Sequence, residues 1–471
     1  MIKIKLNDDK YAYEVYNVFH LFFENISFAE EEENYEILVC DDNLEIIRNN
    51  KKEKFPFDSG LTNKENIKRA IFSYLSKDIA KDIPWGTLVG IRPSKIALKL
   101  LKEGYDKEEI VKYFNYHSLT REDKAKLCID VAKKEEKIVN RDQNTISVYI
   151  GMPFCPTRCL YCSFISDTIN NCKDVIEQYL QAMCYEMDIL SKYIKEKGFK
   201  IECVYFGGGT PTSITNEQFE KVMENVFKSF VFGNNIKEFT VECGRPDSIS
   251  KEKLSVMKKY GVHRISINPQ TMNDETLKLI GRGHDSFEVK EKFKLAREMG
   301  FNNINVDIIV GLPSEGLKQI EYTCNEILKL EPDSLTVHGM SLKRGSKLHH
   351  NVINNIAMKI APHEELNKMY EATEKLAREL KLEPYYMYRQ KNMVGNMENV
   401  GYSKSNKEGI YNIQMIEERQ TIIAIGANAV SKAIFLNENR VERFPNIKDV
   451  REYIKRIDEK VESKIKFLDN L

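Results

Sequence analysis

Apolar and polar positions change period several times over the first part of the chain. Lys3 to Leu6 alternates like a strand, Tyr11 to Phe23 has helical apolar spacing, Tyr35 to Ile47 reads as a hairpin, and Asn63 to Ile79 is an amphipathic helix. The charge run Glu30 to Glu33 is predicted as a solvated loop and the basic stretch Lys51 to Lys54 as a turn face. Pro84-Trp85-Gly86 holds the only tryptophan and precedes Val89 to Lys95, a Gly/Pro-bounded segment that starts a helix. Asp106 to Phe114 and Thr120 to Val139 are further helices.

From Ser147 the pattern becomes regular. Strands are predicted at Ser147 to Ile150, Glu202 to Phe206, Glu238 to Cys243, Arg264 to Asn268, Asn305 to Val310 and Ser334 to His338. Helices separate them near Lys173 to Glu196, Asn216 to Phe230, Lys251 to Tyr260, Phe287 to Met299 and Leu317 to Leu330. Alternation of this kind implies a parallel sheet curved into a partial barrel, a fold that carries its chemistry at the carboxyl ends of the strands. Beyond His338 the pattern loosens: Pro362 to Lys381 is a helix, Glu383 to Arg389 an aromatic strand, Ile422 to Ile425 a short apolar strand, and Ile447 to Phe467 a final amphipathic helix. The fold class is therefore α/β. A partial (β/α)6 barrel at 141–345 lies between an N-terminal α+β domain at 1–140 and a C-terminal α+β region at 346–471 expected to cover the substrate side.

Composition narrows the function. Basic and acidic residues balance at 71 each, which gives no net field to attract nucleic acid or an anionic membrane. Met1 to Asp8 lacks the apolar core of a signal peptide, and no uninterrupted apolar run reaches membrane-spanning length, so a cytoplasmic protein is expected. Ten cysteines, several in apolar contexts such as Cys40, Cys203 and Cys324, fit a reducing compartment and core packing.

Three of the ten are different. Cys155, Cys159 and Cys162 crowd the loop that leaves the first barrel strand, where their thiols can hold three corners of a cubic iron-sulfur cluster and leave the fourth iron for an outside ligand. Zinc, with Cys172 as a fourth ligand, and unrelated core cysteines are the competing readings.

This triplet, with Tyr161 before its last cysteine and Gly207-Gly208-Gly209-Thr210-Pro211 after the next strand, resembles the radical S-adenosylmethionine superfamily. Tyr149 to Cys155 and Tyr205 to Thr212 resemble the oxygen-independent coproporphyrinogen III oxidase group within it. The N-terminal extension and Gly90-Ile91-Arg92-Pro93 resemble the HemZ-type branch of that group. The resemblance implies a 4Fe-4S cluster on Cys155, Cys159 and Cys162, and S-adenosylmethionine as cofactor. It places Tyr149 beside the cofactor as the candidate catalytic side chain, and Tyr161 on adenine. Gly207, Gly208, Gly209 and Thr210 would lie along the methionine end, Glu242 on the ribose or amino-acid moiety, and Gln270, Arg282 and Asp307 on the remaining nucleoside and carboxylate contacts. Asp307 stands among apolar strand residues, where an unpaired carboxylate would be costly, and this also favours a binding role.

The reaction implied is oxidative decarboxylation of two propionates of coproporphyrinogen III to give protoporphyrinogen IX. A 5'-deoxyadenosyl radical would initiate it, and a flavodoxin- or ferredoxin-like donor would supply the electron. The tetrapyrrole's carboxylates call for cations; Arg92, Lys95, Arg245, Lys343, Arg344, Arg389 and Lys391 are the candidates, and the aromatic strand Tyr385 to Tyr388 is a candidate platform for a flat macrocycle. The chain departs from the group in having Gly151 two residues after the first tyrosine, where a histidine is usual. It also has Phe164 where a fourth cysteine is frequent. The alternatives are a haem-binding chaperone and a radical methyltransferase acting on haem, which differ from the first reading in their products.

Overall fold

The computed structural model describes all residues except 24, 30, 32, 91, 163–166, 342–345, 347, 349–359, 391 and 392. It divides into two units, one of Met1–Lys133 with Tyr388–Glu398 and one of Lys134–Met387 with Asn399–Leu471.

In the first unit, β1 (Ile2–Leu6), α1 (Ala12–Phe22), β2 (Ile26–Phe28), β3 (Tyr35–Val39), β4 (Asn43–Arg48), β5 (Lys51–Pro56) and α2 (Asn63–Ile79) form a five-stranded sheet, ordered β2-β1-β3-β4-β5, with two helices. The helices and sheet share one apolar core that includes Ile4, Phe19, Tyr35, Ile46, Ile71 and Leu75. The N-terminus of α2 is fixed by a reciprocal capping box, Thr62 with Glu65. The basic stretch expected as a turn face is instead the edge strand β5, with nearly every residue exposed on both sides; lysines on an edge discourage pairing with other chains. Helices α3 (Ser94–Lys102), α4 (Lys107–Ser118) and α5 (Glu122–Ile138) follow. The Tyr388–Glu398 segment is held to this unit by Glu398, whose buried carboxylate accepts from Lys124 Nζ at 2.7 Å and Trp85 Nε1 at 2.6 Å.

The second unit is built on one sheet. Its parallel strands are β6 (Thr145–Met152), β9 (Lys200–Gly208), β10 (Glu238–Glu242), β11 (Arg264–Ser266), β12 (Ile304–Val310) and β13 (Ser334–Gly339). The short pair β7 (Phe154–Cys155) and β8 (Asp167–Thr168) closes the cysteine loop. Helices α6 (Ile176–Glu196), α7 (Asn216–Val226), α8 (Lys251–Lys259), α9 (Asp274–Leu279), α10 (Ser286–Glu298) and α11 (Leu317–Leu330) connect the parallel strands. Each of these strands is buried on both faces, as a parallel sheet under helices requires. This is the open barrel of the predicted α/β class.

The C-terminal region extends both edges of that sheet. After α12 (His363–Glu379), β14 (Glu383–Tyr388) and β15 (Asn399–Ser403) follow β13, with β15 antiparallel to it. Helix α13 (Ile410–Glu417) is anchored where Glu238 accepts from the amide of Ile410 at 2.5 Å, and β16 (Thr421–Ile425) then returns parallel to β6. The hairpin β17 (Val430–Phe435) and β18 (Arg440–Pro445) ends the sheet. The final helix is two, α14 (Val450–Lys455) and α15 (Ile457–Leu468), broken at Arg456. Among the described residues no helix is long and apolar enough to cross a membrane.

Glu186 on α6 ties these last helices to the barrel. Both its side chain and that of Lys464 are 0% exposed, and their atoms stand 2.5 Å apart. The carboxylate also accepts from Tyr453 Oη at 2.6 Å, Asn446 Nδ2 at 3.1 Å and the Gly426 amide at 2.9 Å. Removing one member of such a pair leaves a buried charge uncompensated. Lys464→Met is therefore expected to lower unfolding stability by about 3–5 kcal/mol in urea titrations. Adding Glu186→Gln should recover part of that loss, and equal stability of the single and double variants would contradict the assignment.

Candidate functional site

The carboxyl ends of β6 and β9 run in register, pairing Tyr149 with Tyr205, Gly151 with Gly207, and Met152 with Gly208. Glycine is required where they meet. Gly208 has φ +101°, and a Cβ there would lie 2.8 Å from the Met152 carbonyl oxygen. A Cβ on Gly207 would strike the Glu242 carboxyl at 2.8 Å, and one on Gly209 the Phe154 carbonyl oxygen at 2.5 Å. The three glycines thus first serve the approach of β9 to β6 and Glu242. Their amides are also committed in part, Gly208 to Glu242 Oε2 at 3.2 Å and Gly209 to the Met152 carbonyl at 2.6 Å.

The cysteine loop leaves β6 at this end. Leu160 donates its amide to the Ile280 carbonyl at 2.9 Å, and Thr157 its hydroxyl to the Gly281 carbonyl at 2.7 Å, which moors the loop to the segment after α9. Thr210 Oγ1 lies 3.5 Å from Cys155 Sγ. Two guanidiniums approach Cys159 Sγ, Arg282 at 3.7 Å and Arg245 at 3.8 Å. This surround suits anionic sulfur, and in that respect the residues fit a thiolate-held cluster. Among the described residues no group of three His, Cys, Asp or Glu side chains is already arranged to hold a metal ion. Ligand thiols lose their protons on binding, and thiolates repel one another until metal charge gathers them.

A polar cluster crosses five strands of the barrel. Tyr205 on β9 donates to Glu242 Oε1 on β10 at 2.5 Å, and its ring stacks on Tyr411 of α13 with centroids 4.3 Å apart and beside Tyr149 of β6 at 6.2 Å. On β12, Asp307 accepts from Asn305 Nδ2 at 2.6 Å and lies 3.6 Å from Nε2 of His338 on β13. Burial pushes the phenols of Tyr149, Tyr205 and Tyr161 upward, so each stays neutral. Gln270, just after β11, holds φ +69°, fixed by main-chain bonds to Asp307 and Ile309 at 2.9 Å each. Its Oε1, with Asn268 Oδ1 and Arg282 Nε, is buried without a hydrogen-bond partner. Such groups are costly alone and suit a polar ligand. Nη2 of Arg282 bonds the strand-end carbonyls of Gly244, at 2.8 Å, and Asn268, while Nη1 faces Cys159 Sγ.

Several expected substrate contacts are placed elsewhere. Arg245 is 2% exposed and gives all its nitrogens to Asp247, Thr157 and Cys159, so it does not offer a propionate partner. Arg389 is buried in the first unit, 4.8 Å above the Trp85 ring, and bonds Leu88 and Asn396. Tyr385 and Tyr386 are buried packing residues, the latter filling the space over Gly401, so they form no open platform. Lys343, Arg344, Lys391 and Phe164 lie outside the described residues. Sequence reasoning missed Tyr205, His338 and Tyr411. Tyr205 alternates with Gly207 on β9 and was legible from period two, whereas Tyr411 reaches the cluster only through tertiary folding.

The two carboxyls of the cluster titrate in opposite directions. Burial pushes Glu242 up to about 7, reinforced by the charge of Asp307 and only partly offset by Tyr205 and Gly208. Burial also pushes Asp307 upward, but His338, Asn305 and Thr336 outweigh it and hold Asp307 below the ordinary value. A carboxyl raised from 4.5 to about 7 binds its proton more tightly folded than unfolded, so its stabilisation is whole below pH 4.5 and is lost as pH rises through 7. Across that window wild-type stability should fall by up to about 1.4 kcal/mol per pH unit relative to Glu242→Gln. Denaturant midpoints that run parallel for the two proteins would contradict the assignment.

Residues 149–327 match the Radical SAM superfamily model. The chain is 39% identical over 494 aligned positions, covering 100% of its length and 98% of the relative's, to the oxygen-independent coproporphyrinogen-III oxidase-like protein HemZ of Bacillus subtilis (strain 168). It is 34% identical over 225 positions, 48% of this chain and 58% of the relative, to the heme chaperone HemW of the same organism. Among solved structures it is similar to the coproporphyrinogen III oxidase HemN from Escherichia coli, with TM-score 0.53 and 19% identity over 69% of this chain and 72% of that one. That likeness shows the fold, and the superfamily brings with it the 4Fe-4S cluster and S-adenosylmethionine. On the full-length match, the chain belongs to the radical SAM superfamily, in the HemZ-type branch of the oxygen-independent coproporphyrinogen III oxidase family.

Proposed function

We propose that the protein oxidatively decarboxylates coproporphyrinogen III to protoporphyrinogen IX without oxygen. The observation that supports this best is the end-to-end similarity to HemZ, a relative named as coproporphyrinogen-III oxidase-like. In this reading Cys155, Cys159 and Cys162 hold the cluster, and Tyr161 lies against adenine. When bound, cluster and S-adenosylmethionine supply a carbon-centred radical able to take hydrogen from a propionate β-carbon.

The chain's own residues orient and shield. Glu242, protonated below about 7, offers an O–H donor, while Asp307 keeps its charge and offers an acceptor. The two can therefore grip different edges of a ribose. Gln270 Oε1 and Arg282 Nε supply further polar contacts to the nucleoside or carboxylate. Gly207, Gly208, Gly209 and Thr210 keep bulk away from the methionine end. Tyr149, neutral and partly buried, stands with its hydroxyl close to Gly208 and is the candidate catalytic side chain in this reading. The buried side chains of Met152 and Phe154 exclude water beside the loop.

The test is anaerobic turnover by the reconstituted full-length protein with reductant, S-adenosylmethionine and coproporphyrinogen III. Loss of two carboxyl groups coupled to 5'-deoxyadenosine, abolished by Cys159→Ala, is the expected result. Deoxyadenosine without a change in tetrapyrrole mass would overturn the substrate; a stoichiometric haem complex would then favour a chaperone, and methyl transfer to haem a methyltransferase. Asp307→Asn is expected to weaken S-adenosylmethionine binding about tenfold in equilibrium dialysis, the worth of one charge-assisted hydrogen bond.

A further inference from the structure

Arg245 has no part in the cofactor contacts described above, yet it is tightly built into the edge of the cysteine loop. Asp247 grips its Nε and Nη2 in a two-point fork at 2.9 and 2.8 Å. That leaves Nη1 directed at the loop, 2.8 Å from Thr157 Oγ1 and 3.8 Å from Cys159 Sγ. The fork fixes direction as well as charge, because a planar guanidinium held at two nitrogens cannot swing its third away. Arg282, fixed by the carbonyls of Gly244 and Asn268, reaches the same sulfur at 3.7 Å. Two permanent cations thus converge on one cluster cysteine.

A cluster on three thiolates is anionic and becomes more so when it takes up an electron. Hydrogen bonds to ligand sulfur and nearby fixed charge are what set how readily it does so. We propose that Arg245, oriented by Asp247, sets the reduction potential of the cluster through Cys159, favouring the reduced state so that a weaker one-electron donor suffices. One electron passes from that donor to the cluster; no bond is made or broken, and the arginine keeps its proton. Arg245 is a positioning and charge-setting residue and touches neither S-adenosylmethionine nor substrate in this account. The proposal rests on the cluster and is independent of which tetrapyrrole reacts.

The experiment is a redox titration followed by electron paramagnetic resonance on anaerobically reconstituted full-length protein. Wild type, Arg245→Met, Arg245→Gln and Arg245→Lys are compared, with iron content confirming that each is loaded. Arg245→Met should lower the reduced-to-oxidised ratio at the wild-type midpoint about tenfold, which is about 59 mV for a one-electron couple. Arg245→Gln, which keeps a hydrogen-bonding head without the charge, should lower it similarly, and Arg245→Lys, which keeps the charge, should recover part of the shift. Recovery that follows charge is a signature that a purely structural role does not produce. Unchanged midpoints in Arg245→Met and Arg245→Gln, or an Arg245→Lys midpoint no higher than theirs, would overturn the proposal. If Arg245→Met does not load, the Arg245→Gln and Arg245→Lys midpoints decide on the same terms.

Discussion

The close approach of β6 to β9 is the constraint from which the rest of the site follows. In-register pairing brings Met152 against Gly208, a contact that only glycine at φ +101° permits. That approach sets the cysteine loop, which leaves β6, beside Thr210, which follows β9, with 3.5 Å between Thr210 Oγ1 and Cys155 Sγ. It also leaves room for the Glu242 carboxyl over Gly207 and for the Tyr149 hydroxyl over Gly208. A side chain at Gly208 or Gly209 would push apart the two strand ends, and one at Gly207 would displace the Glu242 and Tyr205 side chains.

Behind this junction the barrel interior is polar and closely interlocked. Glu242 and Asp307 share one electrostatic environment, yet burial dominates the first while hydrogen bonds and His338 dominate the second. Below about pH 7 a protonated carboxyl and a charged one of similar chemistry are thereby held in one cluster. The stacked rings of Tyr205 and Tyr411 join the β9 face to a helix from the C-terminal part of the chain, which makes that region part of the barrel's packing. The buried Glu186–Lys464 pair ties the last helix to α6 in the same way.

Much of this was legible in the sequence because it depends on local rules. The barrel strands and helices announced themselves through alternation and helical spacing, and α2 spans the residues expected for it, Asn63–Ile79. The cysteine spacing and the glycine run marked the site, since few other arrangements need those residues together. What stayed hidden depends on contacts distant in sequence. β5 reads as charge because an edge strand in water has no buried face to create alternation. β17 and β18 hide for a related reason, being short hairpin strands whose outer member is largely exposed. Arg245 and Arg389 looked like surface cations available to carboxylates; their neighbours Asp247, Leu88 and Asn396 had first to be folded around them before their real commitments could be seen. His338 was visible as a strand end, but its role depends on Asp307 one strand away.

The central claim is that three cysteines, and no fourth protein ligand, hold a cluster whose remaining iron is open to S-adenosylmethionine. Mössbauer spectroscopy of full-length protein reconstituted with isotopically enriched iron tests it most directly. The account predicts a four-iron cluster in which one iron changes its signal when S-adenosylmethionine is added, lost in Cys155→Ala, Cys159→Ala and Cys162→Ala and retained in Cys172→Ala. Irons that all remain unchanged by S-adenosylmethionine, or a cluster that survives loss of Cys159 but not of Cys172, would contradict it.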